Sequence, residues 1–225
     1  RNIGVFKPEV ILMVPMMVET IYKRLAAADP SIPKNILANK IFGGNLRIIF
    51  MGGAHLDPFY IDKFAEYGID IYEGYGMSEC SPVISSNLPG CHKTGSIGRP
   101  LSNAEISFDN GEILVRGTSV MKGYYNMPKE TAETLRDGWL HTGDKGYIDE
   151  DGFLFINGRV KNLIILSNGE NISPEEIENK LALDDLVGEV IVTGEKNGLT
   201  ARIYPEQELV IAANMTEDEV RKNLQ

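Results

Sequence analysis

The sequence predicts an α/β portion built from parallel βα units, then a β-rich portion, then a small α+β portion, and three observations carry that reading. Apolar strands alternate with helix-spaced apolar residues up to about residue 94. From Gly95 short alternating strands are separated by hairpin signals, and after Arg159 come a capped helix and further strands.

Residues 7–14 open the chain as a strand-like run, with 10–14 reading as a buried strand, and Val18, Ile21, Tyr22 and Leu25 then recur at helical spacing. Residues 46–51 form a second apolar strand ending in Gly52-Gly53, after which Asp57 and Pro58 supply the cap and first position of a helix carrying Ile61 and Phe64. Residues 69–72 are the next strand, ending in Gly74-Tyr75-Gly76. Strand, helix and strand in that order imply a right-handed parallel crossover, which puts both glycine segments on the carboxyl edge of one sheet. Open α/β sheets bind ligands along that edge.

Beyond Gly95 the turn residues Asp109-Asn110-Gly111 separate Ile106 from Ile113, and Asp149-Glu150-Asp151-Gly152 precedes an apolar Phe153-Leu154-Phe155. Both read as hairpins. A strand at 163–166, a Ser167-Asn168-Gly169-Glu170 turn and a capping box at Ser173-Pro174-Glu175-Glu176 follow, then a strand at 187–193 and a last helix started by Thr216 with Glu219. The expected organisation is therefore a large domain over residues 1–158 (βα portion 1–94, β-rich portion 95–158) and, from a boundary near residues 159–161, a hinge and small domain over 159–225.

Composition narrows the function. The 225 residues are 43% hydrophobic and 24% charged, enough for a sizeable core, and 22 Lys and Arg against 32 Asp and Glu leave a net charge of −10. A nucleic-acid binder working by phosphate neutralisation is disfavoured. The apolar run 10–18 contains Pro15 and falls short of the roughly 20 residues a bilayer span needs. Two cysteines and three histidines offer neither a disulfide framework nor zinc spacing, and the expected location is the cytoplasm. The chain opens on Arg1 with no leader pattern, which reads as a piece of a longer protein.

Three segments carry chemistry. A glycine-flanked polar loop leaving a parallel strand, Gly74-Tyr75-Gly76-Met77-Ser78-Glu79, can bring backbone N–H groups, a hydroxyl and a carboxylate onto one anion, with Ser78 donating to a phosphate oxygen and Glu79 holding a Mg²⁺ that the phosphate shares. The plain alternative is a tight turn whose glycines supply positive φ. In Trp139-Leu140-His141-Thr142-Gly143-Asp144 the carboxylate of Asp144 has two oxygens that match the vicinal hydroxyls of a ribose, although an aspartate after glycine more often bonds its own backbone. Gly158-Arg159-Val160-Lys161 places two cations at the expected domain boundary, ahead of a helix start that needs no function to explain it.

In this order and spacing the segments resemble the acyl-adenylate-forming superfamily, and most closely its fatty acyl-CoA ligases. The resemblance rests on Gly52-Gly53-Ala54, Tyr75-Gly76-Met77-Ser78-Glu79, Gly138 through Asp144, and Gly158-Arg159-Val160-Lys161 continuing to Pro174-Glu175-Glu176-Ile177-Glu178, and it covers nearly the whole chain. It implies a partial adenylate-forming fold whose small domain is a lid. It also implies that Gly52, Gly53, Ala54 and Tyr75 surround the adenine, that Gly76 belongs to the same cofactor-binding set, that Ser78 (more often Thr in the family) touches the α-phosphate and that Glu79 binds Mg²⁺. Asp144 would hold the ribose, Arg159 the ribose or phosphate, Lys161 would be the hinge, and Gly169 would lie in the loop that approaches the pantetheine thiol. The implied ligands are ATP or AMP, Mg²⁺, a carboxylic acid, and CoA or a carrier-protein phosphopantetheine.

The family's Ser/Thr/Gly-rich phosphate loop would lie upstream of Arg1 and its late catalytic lysine beyond Gln225, so the chain alone is expected to be inactive. Met121-Lys122-Gly123-Tyr124-Tyr125 and residues 168–174 look most like fatty acyl-CoA ligases, and residues 10–18 hold no carboxylate that could pair a substrate ammonium. The expected acid is therefore apolar, with an aromatic- or amino-acid-adenylating enzyme, or a nucleotide-binding module without catalysis, as alternatives. A serine hydrolase fits poorly. Gly76-Met77-Ser78-Glu79-Cys80 lacks the final glycine of G-x-S-x-G, Ser81-Pro82 interrupts the helix that must follow, and His141 precedes Asp144.

Overall fold

The computed structural model describes residues 2–166, 171–195 and 198–224. The chain divides into two compact units, Arg1–Thr142 with Gly146–Ile156, and Gly143–Lys145 with Asn157–Gln225.

The first unit opens on a short helix, α1 (Asn2–Phe6), where the sequence suggests a strand-like start at Lys7. There follow β1 (Val10–Met13), α2 (Pro15–Ala26), α3 (Lys34–Phe42), β2 (Ile48–Met51), α4 (Pro58–Ala65), β3 (Asp70–Gly76), a 3₁₀ turn at Ser78–Cys80, β4 (Val83–Ser86) and β5 (Arg99–Pro100). The strands form one sheet in the order β1-β2-β3-β4-β5. β1, β2 and β3 run parallel, with Val10 opposite Ile48 and Ile48 opposite Asp70, whereas β4 and β5 are antiparallel additions.

β1 is a strand, as expected, but not a buried one. It is the terminal strand of its sheet, so strand alternation turns only Met13 fully inward and leaves Leu12 81% exposed. Asp57 does cap α4, accepting the Phe59 N–H at 2.8 Å with Pro58 at the first position. The core gathers Val18 and Leu25 of α2, Phe42 of α3, Ile49 of β2, Phe64 of α4 and Ile69, and Tyr22 packs edge-on against Phe59 and Tyr60.

The hairpin of β6 (Ala104–Asp109) and β7 (Glu112–Gly117) closes through Asn110 at φ 49° and Gly111 at φ 84°, the left-handed pair that a two-residue type I′ turn needs. After α5 (Pro128–Thr134) and β8 (Leu135–Arg136) come β9 (Trp139–Ile148) and β10 (Leu154–Arg159), giving a sheet in the order β10-β9-β7-β6 with β8 against β9. Cys80, Ile84, Ile113, Val115, Leu140 and Leu154, all without exposed surface, form its core.

In the second unit β11 (Ile164–Ile165) pairs with β12 (Asn171–Ile172), a shorter strand than the four residues expected there. α6 (Pro174–Leu181), the antiparallel pair β13 (Val187–Glu195) and β14 (Gly198–Pro205), α7 (Gln207–Ala212) and α8 (Glu217–Asn223) complete it. Thr216 and Glu219 form the expected reciprocal capping box of α8. Ser173 occupies the cap position of α6 with Pro174 behind it, but the expected box is not made. Its hydroxyl turns instead to donate to Glu175 Oε2 at 2.8 Å. Gly169 and its turn, residues 167–170, lie outside the described residues.

Candidate functional site

In the first unit, β2 and β3 are parallel neighbours, so the segments that leave their carboxyl ends emerge on one edge of the sheet. Gly52-Gly53-Ala54 follows β2, with Gly53 at φ 92°. The turn from β3 into β4 is tight: Met77 N–H donates to the Pro82 carbonyl at 2.8 Å, and Ser81 takes the left-handed conformation at φ 58°. A Cβ on Gly76 would meet the Pro82 carbonyl oxygen at 2.0 Å, so glycine is required there by close approach of two backbones. Tyr75 packs half-buried against the β-rich core, and Gly76 and Ser78 are exposed at the tip.

Glu79 follows Ser78 and is held at two points. Met121 N–H donates to its carbonyl at 2.7 Å, and the Tyr124 hydroxyl donates to its carboxylate Oε1 at 2.8 Å. The Glu79 bond holds the phenol of Tyr124 above its ordinary pKa. Tyr124 stands in a stretch that the sequence marks only as family-like. Its connection to Glu79 spans 45 positions and leaves no local signal.

A second residue that sequence reasoning passes over is Glu73, immediately before the glycine turn. Only 4% exposed, it has its carboxyl pushed up to about 7, chiefly by burial, with the Leu56 N–H opposing and the negative charge of Asp57 adding to the rise. A charged residue directly after the apolar pair Ile71-Tyr72, within the same strand, is the signal that could have found it.

Asp144 and Arg159 belong to the second unit. Asp144 is 6% exposed and accepts from Arg159 Nε at 2.8 Å, while Val160 N–H donates to the Gly143 carbonyl at 2.8 Å. Arg159 also sits near Glu175. Against the effect of partial burial, the Asn162 and Ser173 hydrogen bonds and the Arg159 charge hold the Glu175 carboxyl below its ordinary range. A Cβ on Gly158 would strike Ser173 Oγ at 2.7 Å, which makes that glycine a packing requirement. Lys161 lies exposed in the turn after β10.

Among the described residues no cluster of three or more His, Cys, Asp or Glu could hold a metal ion. A single carboxylate such as Glu79 suits Mg²⁺, which keeps several waters and rests on one or two carboxylates together with substrate phosphates. His141, which a hydrolytic serine would need, is engaged elsewhere, with Nδ1 2.9 Å from Glu112 Oε2. A hollow lined by Asn39, Arg47 and Tyr67 lies beside the amino ends of β2 and β3, the edge opposite the glycine segments. No described helix is long and apolar enough to cross a membrane.

Parallel βα units with glycine turns on their carboxyl edge, a hairpin sheet and a small α+β unit define an adenylate-forming fold. The O-succinylbenzoate coenzyme A synthetase of Bacillus subtilis, solved with AMP, aligns with 97% of this chain and 44% of its own length at a TM-score of 0.75 and 28% identity. The same synthetase solved with ATP and a magnesium ion aligns at 0.70. The chain belongs to the AMP-binding enzyme family, whose pattern matches residues 1–125. It is 42% identical over 164 residues to the long-chain-fatty-acid–CoA ligase of Bacillus subtilis, covering 67% of this chain and 29% of that protein. It is 36% identical over 196 residues to the 2-succinylbenzoate–CoA ligase of Bacillus cytotoxicus, covering 82% of this chain and 40% of that protein. The chain thus spans well under half the length of these relatives.

Proposed function

We propose that this chain is part of an ATP-dependent acid–CoA ligase that activates a fatty acid as its acyl-adenylate and passes the acyl group to CoA. The observation that carries the reading is the turn at Tyr75-Gly76-Met77-Ser78-Glu79, which leaves the carboxyl edge of a parallel sheet with an exposed hydroxyl beside an anchored carboxylate. A carboxylate is a poor acyl donor because its leaving group would be oxide. In the first half-reaction a carboxylate oxygen attacks the α-phosphorus of ATP and the bond to pyrophosphate breaks. In the second the thiol sulfur of CoA attacks the acyl carbon, AMP leaves, and the thiol proton passes to solvent.

The residues of this chain serve by position and electrostatics more than by acid–base work. Gly52, Gly53, Ala54 and Tyr75 flank the adenine, and Gly76 completes the nucleotide-binding turn. Ser78 donates to the α-phosphate, and Glu79 holds Mg²⁺, which neutralises phosphate charge. Asp144 accepts from the ribose hydroxyls, with Arg159 orienting its carboxylate and reaching ribose or phosphate. Lys161 is the hinge of the lid, and Gly169, outside the described residues, is assigned to guiding the thiol of CoA or of a carrier protein. Free thiols at Cys80 and Cys91 accord with a cytoplasmic setting.

The acid is tested by a substrate panel on the intact ligase, scored by AMP release with CoA present. Alkyl acids are expected to lead and to improve as chain length adds buried methylenes, at about 0.8 kcal/mol each until the pocket is full. Similarity to 2-succinylbenzoate–CoA ligase over a larger share of the chain favours an aromatic acid as the second reading. Preference for such an acid, or indifference to alkyl length, would overturn the fatty-acid assignment.

A further inference from the structure

Between the Ser78–Cys80 turn and α5 the chain folds back so that residues 121–131 brace Glu79 and are themselves braced. Met121 N–H fixes the Glu79 carbonyl at 2.7 Å and the Tyr124 hydroxyl fixes its carboxylate at 2.8 Å, so backbone and side chain are both tied to the same short loop. The loop cannot easily drift. Tyr124 N–H donates to Thr131 Oγ1 at 2.9 Å, and that hydroxyl donates to the Met127 carbonyl at 2.8 Å. Gly123 lies so close to Thr131 that a Cβ would come within 2.7 Å of its methyl group.

We infer that Tyr124 is a positioning residue that aims the Glu79 carboxylate at the divalent cation accompanying ATP. The inference rests on the reading of Glu79 given above and adds a second residue, 45 positions away, to its function. Even half-buried, a glutamate has several rotamers, and a cation held by one protein carboxylate and substrate phosphates depends on which of them is populated. The phenol bond selects one rotamer and occupies one carboxylate oxygen. Partners that orient a metal ligand in this way commonly contribute tenfold or more to metal affinity.

The test uses the intact ligase and Mn²⁺ as a spectroscopic stand-in, titrated in the presence of ATP without acid and followed by electron paramagnetic resonance. Tyr124→Phe keeps the ring and removes only the hydroxyl. It should weaken Mn²⁺ binding about tenfold while leaving the melting temperature and the affinity for ATP in EDTA unchanged. The Mg²⁺ concentration for half-maximal adenylation should rise by the same factor, with the rate at saturating Mg²⁺ preserved. Glu79→Gln, run alongside, should abolish the Mn²⁺ difference between the phenol and phenyl forms. Unchanged Mn²⁺ affinity in Tyr124→Phe, with Glu79→Gln still impaired, would overturn the positioning role and leave the reading of Glu79 intact. Unchanged affinity in both would overturn that reading and this inference together. A parallel loss of metal-free ATP affinity in Tyr124→Phe would mark a purely structural loop and also overturn it.

Discussion

Substitution of Glu73 by glutamine should stabilise the protein, and more so as the pH rises. The carboxyl titrates at about 7 in the folded chain against an ordinary 4.5, because burial in β3 penalises the anion. The folded state therefore holds this proton more tightly than the unfolded state does. Its contribution to stability is fully present below 4.5 and is lost as the pH climbs through 7. The gap corresponds to about 3 kcal/mol once both forms are ionised, since each tenfold change in proton affinity is about 1.4 kcal/mol. Glutamine keeps the shape and the acceptor for the Leu56 N–H but carries no charge to desolvate. Urea unfolding of wild type and Glu73→Gln should show the variant ahead by about 1 kcal/mol at pH 5 and by about 3 kcal/mol at pH 8. An advantage that does not grow with pH, or a wild type that is the more stable at pH 8, would refute the claim that Glu73 is a buried carboxyl with a raised pKa.

Asp144→Ala should weaken ATP binding to the intact ligase by roughly 1.5–3 kcal/mol, the loss of hydrogen bonds to a charged acceptor, as read by isothermal titration. Stability should change little through the Arg159 pair itself, because that side chain is 60% exposed and its charge remains solvated; unaltered affinity would refute the ribose assignment. Lys161→Pro fixes φ near −65° in the turn after β10 and should uncouple adenylation from thioester formation. Equal loss of both half-reactions, or of neither, would argue against a hinge at this residue.

What the sequence makes legible is local. The Asp57-Pro58 cap, the Asn110-Gly111 turn and the Thr216/Glu219 box are each written within four residues, and each forms as read. The parallel order of β1, β2 and β3 follows from connection rules that need no knowledge of partners. Helix α3 escapes notice because Ile36, Leu37, Ile41 and Phe42 spread around it and show no single apolar stripe, although only Leu37 and Phe42 of these are buried. β1 looks buried because its residues are apolar; its exposure depends on being the terminal strand, a fact of sheet order and not of composition. Ser78 and Glu79 could be found by motif, but Tyr124 could not, since its contact with Glu79 joins distant positions through a loop whose path is set by Gly123 and Thr131. Glu73 acquires its character from what covers it, and burial is likewise a property of the fold.

The central claim is that the Ser78–Glu79 turn serves the activation of a carboxylic acid by ATP. Its most direct test is exchange of labelled pyrophosphate into ATP by the intact ligase, with and without fatty acid. The account predicts exchange that requires both acid and Mg²⁺ and that falls about a hundredfold in Glu79→Gln, the scale on which a charge-stabilising group is lost from such a site. Exchange that stays at background with every carboxylic acid offered, or that proceeds undiminished in Glu79→Gln, would contradict it.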